Sequence, residues 1–420
     1  MILNIVVNMS ENMKLDNCRI CNEKVRPFLD LGRSHPPEEF RTKEELSKPI
    51  ETFPLGLSYC PNCGEVQLSH EIPPDVMYKQ NYFYDYSLTK TGEKHWIEFA
   101  ELVCKRYNIS KGKLVVDVGS NTGKLLEIFK NMNMKILGID PATKLVRIAR
   151  KRGIPTIDNY FTLATAVKVV NTYGKASLIT CNNVFDHVTN LHEFMNGVVM
   201  LLDKPDGIFV IETPYFATFF RTLCHVVYHQ QIDYVLVKPF KRLFEANGME
   251  IIDCERISYH GGSIRFYIGF KGQHRVNRRV NRFIREEDAL FKNRDRALKS
   301  FAKAVLAQRD DMVKLLRKLK KDGNSIGAVG ASAKGNVLLF YSGIGPDVID
   351  FITEKSPLKI GRYTPSGIPI VKDSELFKRK PDYAVFLSWN FRKEIFNNVK
   401  EYTDGGGKFI IPIPKLRIIK

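Results

Sequence analysis

The sequence predicts an α/β protein built from three parts: a small cysteine-bearing N-terminal domain, a doubly wound domain in the middle and a second, smaller α/β domain at the C-terminus. Three observations carry this. Apolar strand-length runs alternate with helix-length segments through residues 113–212 and again from Ser325 onward, the pattern of βαβ units in a parallel sheet. A glycine-bearing loop follows the first strand of each block, at 119–123 and at 330–335. Ahead of both blocks, residues 13–80 lack helical periodicity and hold two Cys-x-x-Cys pairs.

Bulk properties narrow the functional classes. The chain of 420 residues has room for two or three domains. With 44% hydrophobic and 26% charged residues, it has the composition of an ordinary globular protein, neither disordered nor fibrous. No apolar run is long enough to span a bilayer. The apolar start, Met1–Val7, has neither the basic region nor the small-residue cleavage site of a secretory signal, and a cytoplasmic protein is expected. The net charge of +18 attracts anions, which include nucleic acid, acidic membranes and phosphorylated small molecules. No separate recognition module interleaves aromatics with basic residues, so a small phosphorylated substrate is preferred to nucleic acid or membrane. A monomer is expected. Four of the eight cysteines sit in the two pairs, while Cys104, Cys181, Cys224 and Cys254 are single. That spacing is no disulfide framework and suits a reducing compartment.

Taken in order, residues 13–80 form the first domain. Cys18-x-x-Cys21 and Cys60-x-x-Cys63 are each a turn that can aim two thiolates at one ion, and together they predict a structural Zn2+ with no open coordination position. Residues 81–272 form the second domain. Its first strand, Lys113–Val118, leads into Asp117-Val-Gly-Ser-Asn-Thr-Gly123, where glycines let the backbone approach a ligand at a helix N-terminus. Asp140 ends the next strand, 23 residues after Asp117, where an acid can hold both ribose hydroxyls of a nucleoside. The loop spacing is GxxxG rather than GxGxxG, which favours S-adenosylmethionine over a dinucleotide. Asn183 and His187 follow the next strand, at the edge where ligands bind in open parallel sheets. Residues 273–322 read as a helical linker with a basic stretch from His274 to Arg285. Residues 323–420 form the third domain. Its loop Gly330-Ala-Ser-Ala-Lys-Gly-Asn336 puts Ser332, Lys334 and Asn336 at a helix start suited to phosphate.

Longer motifs then become informative. DVGSNTGKLLE at 117–127, NVFDHV at 183–188, ETPY at 212–215, HGGSIRF at 260–266, GASAKGNVLLFY at 330–341, PLKIGRYTPSGIPI at 357–370, LSWNF at 387–391 and GGKFIIPIP at 406–414, with both CxxC pairs, resemble the sugar C-methyltransferases that act on nucleotide-linked 4-keto deoxysugars. The resemblance covers nearly the whole chain. It implies a zinc-bearing N-terminal domain, a Rossmann-like class I methyltransferase domain that holds S-adenosylmethionine, and a Rossmann-like C-terminal domain that anchors the nucleotide-sugar. It further implies that Asp117, Gly119, Asn121, Gly123, Asp140 and Asn183 bind the cofactor. Lys334 and Asn336, with Arg362 and Tyr363, are implied to face the nucleotide diphosphate. Tyr84, His187, Tyr228 and His260 match positions near the sugar.

One departure bears on the reaction. Where the family has roughly Tyr-x-Glu-His, with the histidine taken as the base, this chain has Tyr228-His229-Gln230-Gln231. Glutamine has no titratable group, yet methylation of a carbon beside a ketone requires a base. C-methylation then needs His229, His187 or His260 as base. Transfer to a hydroxyl or amine, with Gln231 orienting the acceptor, and a non-catalytic cofactor- or sugar-nucleotide-binding protein are the alternatives.

Overall fold

The computed structural model describes residues 13–78, 90–389, 395–396 and 399–419, so Met1–Val7 and the aromatic stretch around Tyr84 lie outside the described residues. The N-terminal domain is an antiparallel sheet of β1 (Arg26–Ser34), β2 (Phe53–Tyr59) and β3 (Val66–Leu68). Along β1, Leu29 and Leu31 are buried while Arg26, Asp30 and Gly32 are exposed, the alternation expected of a strand with one wet face.

The middle domain is a seven-stranded sheet of β4 (Leu114–Val118), β5 (Lys135–Asp140), β6 (Thr156–Asp158), β7 (Leu178–Asn182), β8 (Ile208–Pro214), β9 (Met249–Ile257) and β10 (Ser263–Phe270), in the order β6-β5-β4-β7-β8-β10-β9. β4 through β8 pair in parallel, and β10 is antiparallel to both β8 and β9. β4 and β8 are buried at every position. Helices cover both faces, which explains continuous apolar runs in place of alternation. Strand order reverses between β4 and β7, and the carboxyl ends of those strands open a ligand-binding crevice. The βα alternation read from the sequence is present, while the β9–β10 ribbon and the N-terminal sheet carried no helix-alternating signal.

The C-terminal domain is a six-stranded sheet of β11 (Ile326–Val329), β12 (Phe351–Glu354), β13 (Ile370–Lys372), β14 (Tyr383–Phe386), β15 (Lys408–Ile411) and β16 (Arg417–Ile419), ordered β13-β12-β11-β14-β15-β16 with only β16 antiparallel. Two helices precede it, Arg278–Leu290 and Arg294–Lys321. The second is a beam between domains. Its Leu298, Phe301 and Val305 belong to the central core, and its Met312, Leu316 and Leu319 to the C-terminal core. Two of the five arginines in the basic stretch are paired internally: Arg279 with Asp253 and Arg282 with Glu286. Glu287, buried on the first helix, accepts from Tyr215 Oη and from the backbone amides of Val237 and Lys238. It thereby caps the helix Val237–Ala246 and ties the linker to the middle domain.

The N-terminal domain touches both larger ones. Residues 232–234 extend its sheet, with Leu68 N–H donating to Ile232 O (2.8 Å) and Tyr234 N–H to Val66 O (2.7 Å). On the other side Phe40 sits in the C-terminal core, and Arg41 and Tyr363 exchange backbone hydrogen bonds of 2.8 Å. Among the described residues no helix is long and apolar enough to cross a membrane.

Candidate active site

The four cysteines converge. Their sulfurs lie within 4.8 Å of one another, with Cys18–Cys63 and Cys21–Cys60 at 3.5 Å. Four thiolates around tetrahedral zinc at about 2.3 Å stand about 3.8 Å apart, so the donor set fits that ion. Each pair forms the same turn. Asn22 N–H donates to Cys18 O and Gly64 N–H to Cys60 O; Asn22 and Gly64 have φ of 62° and 90°. Backbone amides of Cys21 and Cys63 point at the sulfurs of Cys18 and Cys60, each at 3.5 Å. A side chain at Gly64 would collide with the Arg294 guanidinium, so glycine serves both the backbone angle and the close approach.

The loop after β4 meets the ends of β5 and β7. Gly119, with φ of 73°, passes so close to Val184 that a Cβ would lie 2.3 Å from Val184 Cγ2. Asp140 is buried at the end of β5. One carboxylate oxygen accepts from Asn121 N–H and the other from Ala142 N–H, both at 2.8 Å. Burial pushes its pKa up to about 6. Each oxygen keeps a further lone pair for an incoming hydroxyl. Asp117 is also buried and accepts from Thr180 Oγ1 at 2.6 Å, which joins β4 to β7; burial raises its pKa to about 7. Asn183 takes a left-handed φ of 55° as the chain leaves β7. Asn121, Gly123, Asp140 and Asn183 thus share one rim of the sheet with Gly119.

Across that rim stands a second group of side chains. His187 Nε2 is 3.5 Å from the buried carboxylate of Asp186, and its ring stands edge-on to Tyr228, centroids 6.5 Å apart. Burial holds the His187 pKa below the usual histidine range, so the imidazole is neutral at pH 7. From the C-terminal domain, Lys334 Nζ lies 4.9 Å over the Tyr228 ring, and burial lowers its pKa to about 8 against the pull of Asp186 and Glu38.

The remaining sequence-derived candidates divide. Residues 228–231 form a tight turn closed by Gln231 N–H to Tyr228 O, neither extended nor helical. His229 points into the N-terminal domain, Nε2 to Pro54 O at 3.0 Å, with burial lowering its pKa to about 4. The structure therefore does not bring His229 together with His187. Gln231 is buried, its Nε2 donating to Asp233 O. Ser332 caps the helix Ala333–Tyr341, accepting from Gly335 N–H and donating to Leu387 O. Asn336 and Arg362 donate to carbonyls of residues 37–40, and the Tyr363 backbone pairs with Arg41. Much of their hydrogen-bonding capacity thus joins the domains. Tyr84 and the His260 side chain lie outside the described residues.

Sequence reasoning missed Asp186 and Asn182. Asn182 presents a side-chain amide with neither N nor O partnered among the described residues; both residues flank named motif positions, which was the available signal. It also missed Glu212. Fully buried at the end of β8, Glu212 accepts from Arg265 (2.8 Å) and contacts His95 Nε2 at 2.7 Å.

Comparison with known proteins assigns the chain. A methyltransferase-domain family model matches residues 94–253, a zinc-binding-domain model 18–78 and a C-methyltransferase C-terminal-domain model 258–414. The chain is 31% identical over 411 residues to the C-methyltransferase NovU of Streptomyces niveus, an alignment covering 96% of this chain and 97% of that one. The chain belongs to the C-methyltransferase family. It is an S-adenosylmethionine-dependent methyltransferase with a zinc-binding N-terminal domain. A shorter match, 25% identity over 112 residues (26% of this chain and 43% of the relative), is to the ubiquinone biosynthesis O-methyltransferase of Bradyrhizobium sp. (strain ORS 278). Among solved structures, an S-adenosylmethionine-dependent methyltransferase from Clostridium acetobutylicum ATCC 824 aligns at 14% identity and a TM-score of 0.34, covering 45% of this chain and 93% of that one.

For a C-methyltransferase with this closed thiolate set, purified protein should carry about one zinc per chain. Cys60→Ser should lower the melting temperature while leaving S-adenosylmethionine affinity within a few-fold. Elemental analysis that finds no zinc in freshly prepared protein would refute the site.

Proposed function

We propose that this enzyme methylates a nucleotide-linked deoxysugar at the carbon beside a ketone, with the nucleotide on the C-terminal domain and the methyl donor on the middle domain. The observation that carries the substrate class is Lys334. It is a cation from one domain held against Tyr228 and near Asp186 and His187 of the other, at the start of a helix whose free N–H groups favour an anion. A diphosphate there would leave the sugar facing His187. By the family resemblance Ser332, Asn336, Arg362 and Tyr363 belong to the same side, although Asn336 and Arg362 already donate to carbonyls of residues 37–40. In this reading Asp117, Gly119, Asn121, Gly123, Asp140 and Asn183 hold the methyl donor, with the two ribose hydroxyls donating to Asp140.

When bound, S-adenosylmethionine supplies an electrophilic methyl group on a sulfonium. The protein's part is to orient the acceptor carbon in line with that methyl and to take a proton from it. His187 is the base in this reading: it is neutral at pH 7, and Asp186 beside it stabilises the imidazolium formed when Nε2 or Nδ1 takes the proton. The electron pair left on carbon, shared with the ketone oxygen, forms the new bond to methyl. Tyr228 stands beside His187; Tyr84 and His260 are assigned to the sugar by the family resemblance alone. Gln231, with no side-chain partner for its Oε1 among the described residues, favours the second reading, transfer to a hydroxyl or amine oriented by the glutamine amide.

Two measurements test this. Asp140→Ala should weaken S-adenosylmethionine binding by at least about tenfold, the lower end of about 1.5–3 kcal/mol for a charge-assisted hydrogen bond. Wild-type affinity should also fall below about pH 6, where the carboxylate takes a proton and loses acceptor capacity. Calorimetry showing unchanged affinity in the mutant would remove Asp140 from the site. For the acceptor, a keto-deoxysugar nucleotide in heavy water should gain deuterium beside the ketone, and His187→Ala should slow that gain by about 10²–10⁴-fold. Methyl label recovered on oxygen or nitrogen, without exchange, would move the reaction to the second reading.

A further inference from the structure

The residue between the first two zinc-ligand cysteines reaches far from the metal site. The Arg19 side chain is only 6% exposed. Its own N–H donates to Gln67 Oε1 at 3.0 Å. Its guanidinium pairs with Asp233 through Nε at 2.9 Å and with Glu71 through Nη1 at 3.4 Å. The same group donates to two main-chain carbonyls, Nη1 to Thr189 O at 2.9 Å and Nη2 to Val188 O. Those carbonyls belong to the two residues that follow His187. Asp233 lies two residues beyond Gln231, and its backbone N–H and that of Ile232 both donate to Asp186 O, at 3.1 and 2.8 Å. His192 Nε2 adds a contact to Ile20 O at 3.1 Å, from the residue next to Arg19. One side chain of the cysteine turn therefore spans two loops of the candidate site, the 186–189 loop carrying His187 and the 228–234 turn carrying Tyr228 and Gln231.

We infer that Arg19 is a positioning residue of the methyl-transfer site, through which the zinc turn sets the placement of His187 relative to Tyr228 and Lys334. The inference rests on the proposed role of His187, and it makes the metal site more than a staple for its own domain. The physical basis is the fork of the guanidinium. A planar, always charged group with five donors in fixed directions can satisfy two carboxylates and two carbonyls at once, and its rigidity transmits position. The turn that carries it is closed on itself by Asn22 N–H to Cys18 O and by amide contacts to Cys18 Sγ, so residue 19 has little freedom while the four sulfurs are held together. Lysine offers one point charge and cannot reach both carbonyls while keeping both carboxylates.

The test reads His187 directly, in protein without acceptor, so its outcome does not depend on which substrate is methylated. Histidine Cε1 resonances are followed by NMR against pH in the zinc-loaded full-length chain, with His187 assigned by its loss in His187→Gln. The groups facing His187 are the charged Asp186 and Lys334 and the edge-on Tyr228 ring, and none of them is altered. In Arg19→Lys, zinc content and S-adenosylmethionine affinity should stay within about twofold of wild type, while the His187 midpoint moves by about half a pH unit or more. Asp233→Asn, which removes the carboxylate that orients the fork without burying a new charge, should move it likewise, and keeps the test open should Arg19→Lys fold poorly. A His187 titration that superposes on wild type in either folded variant would overturn the inference.

Discussion

Buried polar groups in a low-dielectric seam must find partners, and here that requirement fixes how three domains sit together. The N-terminal domain is stitched to the middle domain by strand pairing at 232–234 and by the Arg19 fork, and to the C-terminal domain by carbonyls of residues 37–40 that accept from Asn336 and Arg362. Lys359 is buried against Glu38 and Phe40 on the same side. Leaving a buried donor or acceptor unpaired costs about 1–3 kcal/mol, and an unpaired buried charge costs more. Any alternative docking would break several such contacts at once. This arrangement sets Lys334, at the start of the helix Ala333–Tyr341, against Tyr228, while the cysteine turn holds the 186–189 and 228–234 segments through Arg19.

Perturbed titratable groups gather at the candidate site, as some do in the seam, where burial raises Asp233 to about 6 and lowers His229 to about 4. Asp117 and Asp140 are pushed towards neutrality by burial, Lys334 is pulled down by the same cause, and His187 is held below its ordinary range. Asp186 and Asn182 have no side-chain hydrogen bond among the described residues. Such groups cluster where a ligand is to be received, because the ligand supplies the missing partners. The contrast with Glu212 is instructive. Equally buried, Glu212 is satisfied by Arg265 and His95, and it reads as a strut under the β8 end of the sheet.

How much of this was legible in sequence follows from the range of the interactions. The glycine loop after β4, the acid ending β5 and the CxxC pairs are local patterns, whose physics acts within a turn or across neighbouring strands, and they appeared where periodicity and spacing placed them. The β9–β10 ribbon and the short N-terminal strands gave weaker signals, since their partners are not separated by a regular helix. Arg19 was invisible, because its partners Val188, Thr189 and Asp233 lie some 170 to 214 positions away. His229 looked equivalent to His187 on the chain. Only the docking of the N-terminal domain turns its ring to Pro54. For the same reason Asn336 and Arg362 looked like free ligand groups, although their donors serve the interdomain seam.

The proposed function requires one site that joins a methyl donor on the middle domain to a nucleotide anchored on the C-terminal domain. The most direct measurement is a crystal structure of the ternary complex with S-adenosylhomocysteine and a nucleoside-diphosphate deoxysugar. The expected structure has the ribose hydroxyls on Asp140, the diphosphate against Lys334 at the N-terminus of the helix Ala333–Tyr341, and the sugar between His187 and the sulfur. A diphosphate bound elsewhere, with Lys334 still packed on Tyr228 and the sugar remote from His187, would contradict it.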